Sequence, residues 1–180
     1  MWGDNSTLQL THNWAGHQFK YTMGIMDYEE EVHESSWGSS TIFFPVNRDQ
    51  EFKQTSHELQ ISSDSDGALN YVAGFYYLEA DSYITSGPIQ PFTVNHEAEA
   101  QAFYGELTYD INEDWSVTLG ARYTEEDKNM QTYSWPPVVG DADRIAGNID
   151  PSVLQMAATP EFSDDNLTYR AVIQRNFSKG

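Results

Sequence analysis

Trp115-Ser116-Val117-Thr118-Leu119-Gly120-Ala121-Arg122-Tyr123-Thr124 is the stretch whose reading decides the fold. Its odd positions are Trp, Val, Leu, Ala and Tyr; its even positions are Ser, Thr, Gly, Arg and Thr. Successive side chains of a strand point to opposite faces, so the run presents one apolar face, closed at both ends by an aromatic ring, and one polar face. A helix would mix the two sets.

The same period recurs on either side. Leu167, Tyr169, Ala171, Ile173 and Phe177 alternate with Thr168, Arg170, Gln174 and Asn176, and Arg175 interrupts the apolar set near its end. Upstream, Phe103, Gly105, Leu107, Tyr109 and Ile111 form one such set, and Phe19, Tyr21, Met23 and Ile25 another. Weaker alternation runs over residues 7–12, with Leu8 and Leu10, over 51–63, with Leu59 and Ile61, and over 71–83, where both faces are apolar for part of the length. The pattern predicts an all-β chain, an antiparallel up-and-down meander of seven strands. Their expected length of roughly 10–16 residues exceeds the usual ~5–6 of soluble strands and suits the ~9–11 tilted residues that cross a bilayer.

The connections alternate in expected length. Asn13 to Gly16, Ser63 to Ala68 and Ile111 to Asp114 are rich in the Asn, Asp and Gly that tight hairpins require. Residues 30–50, 84–95 and about 127–162 read as long loops, and they hold Pro45, Pro88, Pro91, Pro136, Pro137, Pro151 and Pro160, every proline of the chain. Short turns at one end and long loops at the other is the build of an outer-membrane barrel. Within the last loop, Ser152 to Ala158 reads as a short helix.

Composition narrows the function classes. The 180 residues are 39% hydrophobic, 14% aromatic and carry a formal charge of −19, a sign that repels phosphate backbones and argues against nucleic-acid binding. With no Cys, disulfides, thiolate metal sites and cysteine nucleophiles are excluded. No run approaches 18 apolar residues, and Met1-Trp2-Gly3-Asp4-Asn5 lacks the basic and apolar regions of a signal peptide. A transmembrane barrel also lacks long apolar runs, because its lipid-facing and lumen-facing residues alternate.

Phe52-Lys53-Gln54-Thr55-Ser56-His57-Glu58-Leu59-Gln60-Ile61-Ser62-Ser63, followed by Asp66-Gly67-Ala68-Leu69-Asn70-Tyr71-Val72-Ala73-Gly74-Phe75-Tyr76-Tyr77, resembles a barrel hairpin of TonB-dependent outer-membrane receptors. Phe103-Tyr104-Gly105-Glu106-Leu107-Thr108-Tyr109, the Trp115 run through Glu126, and Asp164-Asp165-Asn166-Leu167-Thr168-Tyr169-Arg170 resemble the next strands in that family's order. The resemblance implies that residues 1–180 are an internal part of a 22-stranded barrel, without the plug domain, the TonB box or the terminal aromatic of that family. It implies a bacterial outer-membrane location, outer-membrane lipid and TonB as partners, TonB acting through parts of the receptor not present here, and uptake of a scarce ligand such as a ferric siderophore.

No set of residues assembles into catalytic, cofactor or metal chemistry, so neither an enzyme nor a cofactor is expected. His12, His17, His33, His57 and His96 lack ligand spacing and read as turn and strand residues. Asp64-Ser65-Asp66-Gly67 reads as a polar turn, since the further acceptors of a calcium loop are missing. Acid clusters at Glu29-Glu30-Glu31, Glu97 and Glu99, Glu125-Glu126-Asp127 and Asp164-Asp165 are expected at strand ends facing the long loops, as a solvated surface or a rim that attracts cations. Trp37, Phe43, Phe44, Tyr133 and Trp135 are expected in loops, stacking on a ligand or on one another.

Phe19, Tyr21, Phe103, Tyr109, Trp115, Tyr123 and Tyr169 are expected as interface anchors of a barrel. Thr118, Arg122, Glu106, Thr168 and Arg170 are expected to face the lumen, and Val117, Leu119, Leu107, Ala171 and Ile173 to face lipid. The rival reading is a soluble β-barrel or β-sandwich that binds a small ligand or carbohydrate, its apolar face turned inward.

Overall fold

The computed structural model describes residues 1–35, 45–63, 67–88, 92–134 and 156–177. Eight strands form one antiparallel sheet: β1 (Trp2–Trp14), β2 (His17–Ser35), β3 (Pro45–Ser63), β4 (Leu69–Pro88), β5 (Phe92–Asn112), β6 (Trp115–Ser134), β7 (Met156–Ala158) and β8 (Glu161–Arg175). Each of the first six pairs with its sequence neighbour, and β7 and β8 both pair with β6. The meander expected from the alternation is what forms.

Local chemistry sets each turn at the first end of the sheet. Ala15 and Gly16 both have positive φ, 54° and 79°, as a two-residue hairpin matched to strand twist requires. At the β3–β4 hairpin the Ser63 hydroxyl accepts from the Tyr71 N–H at 3.0 Å and donates to Asn70 Oδ1 at 3.3 Å. At the β5–β6 turn, Asn112 Oδ1 accepts from the Asp114 and Trp115 N–H groups at 3.0 and 3.1 Å, and a bulge at Asp110/Asn112 adjusts the register.

Several expectations change. The strands run longer than expected, to 21 residues in β5, so most of residues 30–50 and 84–95 are strand rather than loop. Only residues 89–91 separate β4 from β5, whereas 36–44 and 135–155 separate the other strands at that end. The helix expected over Ser152 to Ala158 is absent where described, since Met156–Ala158 is strand β7 and residues 152–155 lie outside the described residues. Pro45 opens β3, Pro88 ends β4 and Pro160 sits in the break between β7 and β8, positions where a missing N–H disturbs the ladder least. Pro91, Pro136, Pro137 and Pro151 lie outside the described residues.

The sheet has no second layer among the described residues. Among the described residues, the buried hydrophobics are Ala80 and Ala102 alone, while Leu119 is 49% and Ile173 71% exposed. A soluble domain buries at least one sheet face against another element. A β-sandwich needs a facing sheet that the described strands do not supply.

Candidate functional site

The register assigns every strand residue to one of two faces. Leu107 pairs with Leu119 and Leu119 with Ala171, while Thr108 pairs with Thr118 and Arg122 with Thr168. Val117, Leu119, Leu107, Ala171 and Ile173 therefore share one face, and Thr118, Arg122, Glu106, Thr168 and Arg170 share the other. All seven expected anchor aromatics stand on the Leu119 face.

On that face an apolar band spans the sheet near its turn end. Phe19 meets Ile61, Tyr21 meets Leu59, Leu59 meets Phe75, and Phe75 meets Phe103 with ring centroids 4.8 Å apart. An open groove of 520 Å³ runs through it between Leu10, Phe19, Leu59 and Ile61. Two hydrogen-bonded pairs bracket this band: the Tyr71 hydroxyl with His17 Nδ1 at 2.7 Å, near the turns, and the Tyr21 hydroxyl with His57 Nδ1 at 2.8 Å, further up. The alternation could not show these pairs, because each joins residues more than 30 positions apart. His12 and His96 are strand residues of β1 and β5; the side chain of His33 lies outside the described residues. Among the described residues no group of three or more His, Asp or Glu is arranged to hold a metal.

The Thr118 face carries polar side chains at the same level. Tyr104 donates to Glu58 Oε1 at 2.6 Å and accepts from Gln60 Nε2 at 3.1 Å, spanning three strands. Arg170 reaches Glu106 at 3.0 Å, and the Thr108 and Thr118 hydroxyls bond at 2.9 Å. The Thr168 hydroxyl donates to the Arg122 carbonyl at 3.4 Å. The Tyr104 group was not foreseen, although its three residues already stood on the polar side of the alternation.

Above the band the two faces exchange character. On the Leu119 face come Asp27 and Glu29 of β2, Glu51 of β3, Glu79 and Asp81 of β4, Glu97 and Glu99 of β5, and Glu125 and Asp127 of β6. Glu79 lies directly opposite Glu99, Glu29 opposite Glu51, and Glu125 opposite Asp165. On the Thr118 face the same strands place Tyr28, Phe52, Leu78, Ala80, Ile84, Val94, Ala98 and Met130. Glu30 pairs with Arg48 at 2.7 Å and Glu126 with Lys128 at 2.8 Å on that side.

Of the acid clusters expected at strand ends, Glu97, Glu99 and Glu125 to Asp127 sit well inside long strands, whereas Asp164 and Asp165 lie near the loop-side start of β8. Tyr133, expected in a loop, belongs to β6 opposite Thr93. Trp37, Phe43, Phe44 and Trp135, like Asp64, Ser65 and Asp66, lie outside the described residues.

A wall with one lipid-compatible face and one wet face suits a barrel around an aqueous or plugged interior. The comparisons with known proteins agree. A family model described as TonB dependent receptor-like, beta-barrel, matches residues 2–178. Among solved structures, the ferric yersiniabactin uptake receptor FyuA from Yersinia pestis superposes with a TM-score of 0.76 at 16% sequence identity, over 95% of this chain and 25% of that receptor. At that identity the likeness concerns the fold, and the chain spans about a quarter of the receptor it matches. No curated protein matches the sequence.

Proposed function

The chain belongs to the family of TonB-dependent receptor-like β-barrels, and from that premise we propose that it is a wall segment of a bacterial outer-membrane receptor that takes up a scarce ligand with energy delivered through TonB. The observation that carries this reading is the opposition of Leu119 and Thr118: consecutive residues of β6 that open onto an apolar band and a hydrogen-bonded polar wall. The apolar band then meets lipid, and the polar wall faces the lumen and the plug of the whole receptor.

In this orientation the tight turns lie in the periplasm and the strands continue outward past the bilayer. Residues 92–102 of β5 would stand beyond the band, about 35 Å of strand at the usual rise. Their luminal side sets Val94, Ala98, Ala100 and Ala102 beside Ile84, with His96 among them and the Glu126–Lys128 pair next to Ala98 and Ala100, while Glu97 and Glu99 face outward. A vestibule of apolar side chains with a few charged and hydrogen-bonding groups suits an organic chelate of iron, so a ferric siderophore is the ligand class we assign. TonB engages the plug side of the whole receptor rather than these strands. The family is one of receptors and transporters, and no enzymatic role is assigned.

The test uses the intact receptor in its own cells under iron limitation. Deleting its gene should abolish growth on one of a panel of ferric hydroxamates and catecholates, complementation should restore it, and the rescue should vanish in cells lacking TonB. Uptake that persists without TonB, or a receptor absent from the outer-membrane fraction, would contradict the proposal.

A further inference from the structure

Arg175 stands apart among the described cations of the Leu119 face. The other cation there, Lys53, pairs with Glu51; on the Thr118 face Arg48, Lys128 and Arg170 pair with Glu30, Glu126 and Glu106, and Lys20 and Arg122 have no ion pair among the described residues. Arg175, at the end of β8, has no carboxylate within ion-pair distance and no hydrogen-bond partner for its guanidinium among the described residues, in a chain of net charge −19. Its guanidinium instead lies 5.2 Å from the centroid of the Trp115 ring and 4.7 Å from that of Phe177. A guanidinium so placed is held through its flat π surface, which leaves its N–H groups free to fork onto an oxyanion.

The place of this group in the sheet says which oxyanion. Arg175 is the register partner of Trp115 on the Leu119 face, and the next pairs upward on that face are Val117 with Ile173 and Leu119 with Ala171. The cation therefore caps the apolar band at its turn end. The Asn176 N–H donates to the Asp114 carbonyl at 2.8 Å, which ties the chain after β8 to the β5–β6 turn and fixes Arg175 at that height. The turn carboxylates Glu113 and Asp114, both exposed, are its acidic neighbours along the sheet edge, and neither pairs with it. At the opposite edge of the band the same face is a belt of carboxylates, so only the turn end attracts an anion.

We infer that Arg175, held between Trp115 and Phe177, binds the phosphate of an anionic glycerophospholipid, in preference to a zwitterionic one, in the leaflet at the turn end, with the acyl chains along Ile173, Val117 and Leu119. The inference rests on the membrane reading above. It adds a bound lipid of that leaflet, chosen by an oriented guanidinium at the edge of the apolar band, to a surface otherwise defined by apolarity alone. A lysine at this position would keep the charge and lose the planar fork, so the two side chains are distinguishable.

The experiment uses the intact receptor carrying this chain, reconstituted into vesicles of phosphatidylcholine with one-tenth phosphatidylglycerol, re-extracted in mild detergent and weighed with its retained lipid by native mass spectrometry. Against wild type, Arg175→Gln should lower retained phosphatidylglycerol about tenfold, the loss of one charge-assisted hydrogen-bonded contact, and Arg175→Lys should fall between them. Inorganic phosphate at millimolar concentration should leave the wild-type lipid in place. Equal retention in all three proteins, or displacement by inorganic phosphate, would overturn the assignment while leaving the membrane reading intact. Should Arg175→Gln fail to fold, Arg175→Lys against wild type decides, and equal retention overturns the assignment. Failure of the wild type itself to enter vesicles would overturn the membrane reading and this assignment with it.

Discussion

Tyr104 occupies the space that a side chain on Gly74, its cross-strand partner, would need. A Cβ built on Gly74 would stand 2.5 Å from Tyr104 Cζ and 2.8 Å from the Leu59 carbonyl oxygen, so the ring and the glycine exclude any third group. From this position the hydroxyl reaches both Glu58 and Gln60. The polar wall thus depends on an absent side chain as much as on those present.

Gly74→Ala should therefore destabilise the folded barrel by about 1–3 kcal/mol, because backbone as well as ring must shift. Gly105→Ala is the control: its added Cβ would meet the Val72 oxygen at 3.6 Å and the Ala73 Cβ at 3.8 Å, ordinary contacts. Its effect should stay within about 0.5 kcal/mol. Urea midpoints of the receptor refolded in detergent micelles would separate the two, and equal losses would show that the ring yields freely.

Ala15 holds a left-handed φ of 54° in the β1–β2 turn, a conformation that costs an ordinary L-residue roughly 1–2 kcal/mol. Ala15→Asn places the favoured Asn-Gly pair in that turn and should raise stability by about 0.5–1 kcal/mol. A thermal scan that finds the variant no more stable than the parent would mean that the turn is not strained in solution.

Glu79 and Glu99 face each other directly across β4 and β5. Like charges so placed are destabilising, and opposite charges contribute roughly 0.2–1 kcal/mol. Glu99→Lys should stabilise the protein by about that amount at 10 mM salt, and the gain should shrink at 1 M, where the screening length falls to about 3 Å. A gain independent of salt would point to packing rather than charge.

Much of this architecture was legible in the alternation around Trp115 to Thr124, because a strand with two unlike faces writes both into consecutive residues. The division between Leu119 and Thr118, and the tight turns at Asn13 to Gly16 and Ile111 to Asp114, followed directly. The outward halves of the strands were not legible for a physical reason. In Glu97-Ala98-Glu99-Ala100-Gln101-Ala102 the period of two persists, but acids replace the apolar residues on one face and alanine the polar residues on the other. Charges a few residues from a proline read as the end of a strand beside a loop when only apolar alternation is sought. Strand β7 is three residues long, too short to carry any period, and it is held by pairing with Thr132 to Ser134. The contacts of Tyr104 and of the two His–Tyr pairs span residues far apart in the chain, so the register had to be known first.

The most direct measurement is the folding free energy of two neighbouring arginine variants of the receptor in phospholipid vesicles. Leu119→Arg should cost about 2–4 kcal/mol and Thr118→Arg less than about 1, since only the first drives a charge into the bilayer. Equal losses, or the larger loss at Thr118, would contradict the assignment of the Leu119 face to lipid.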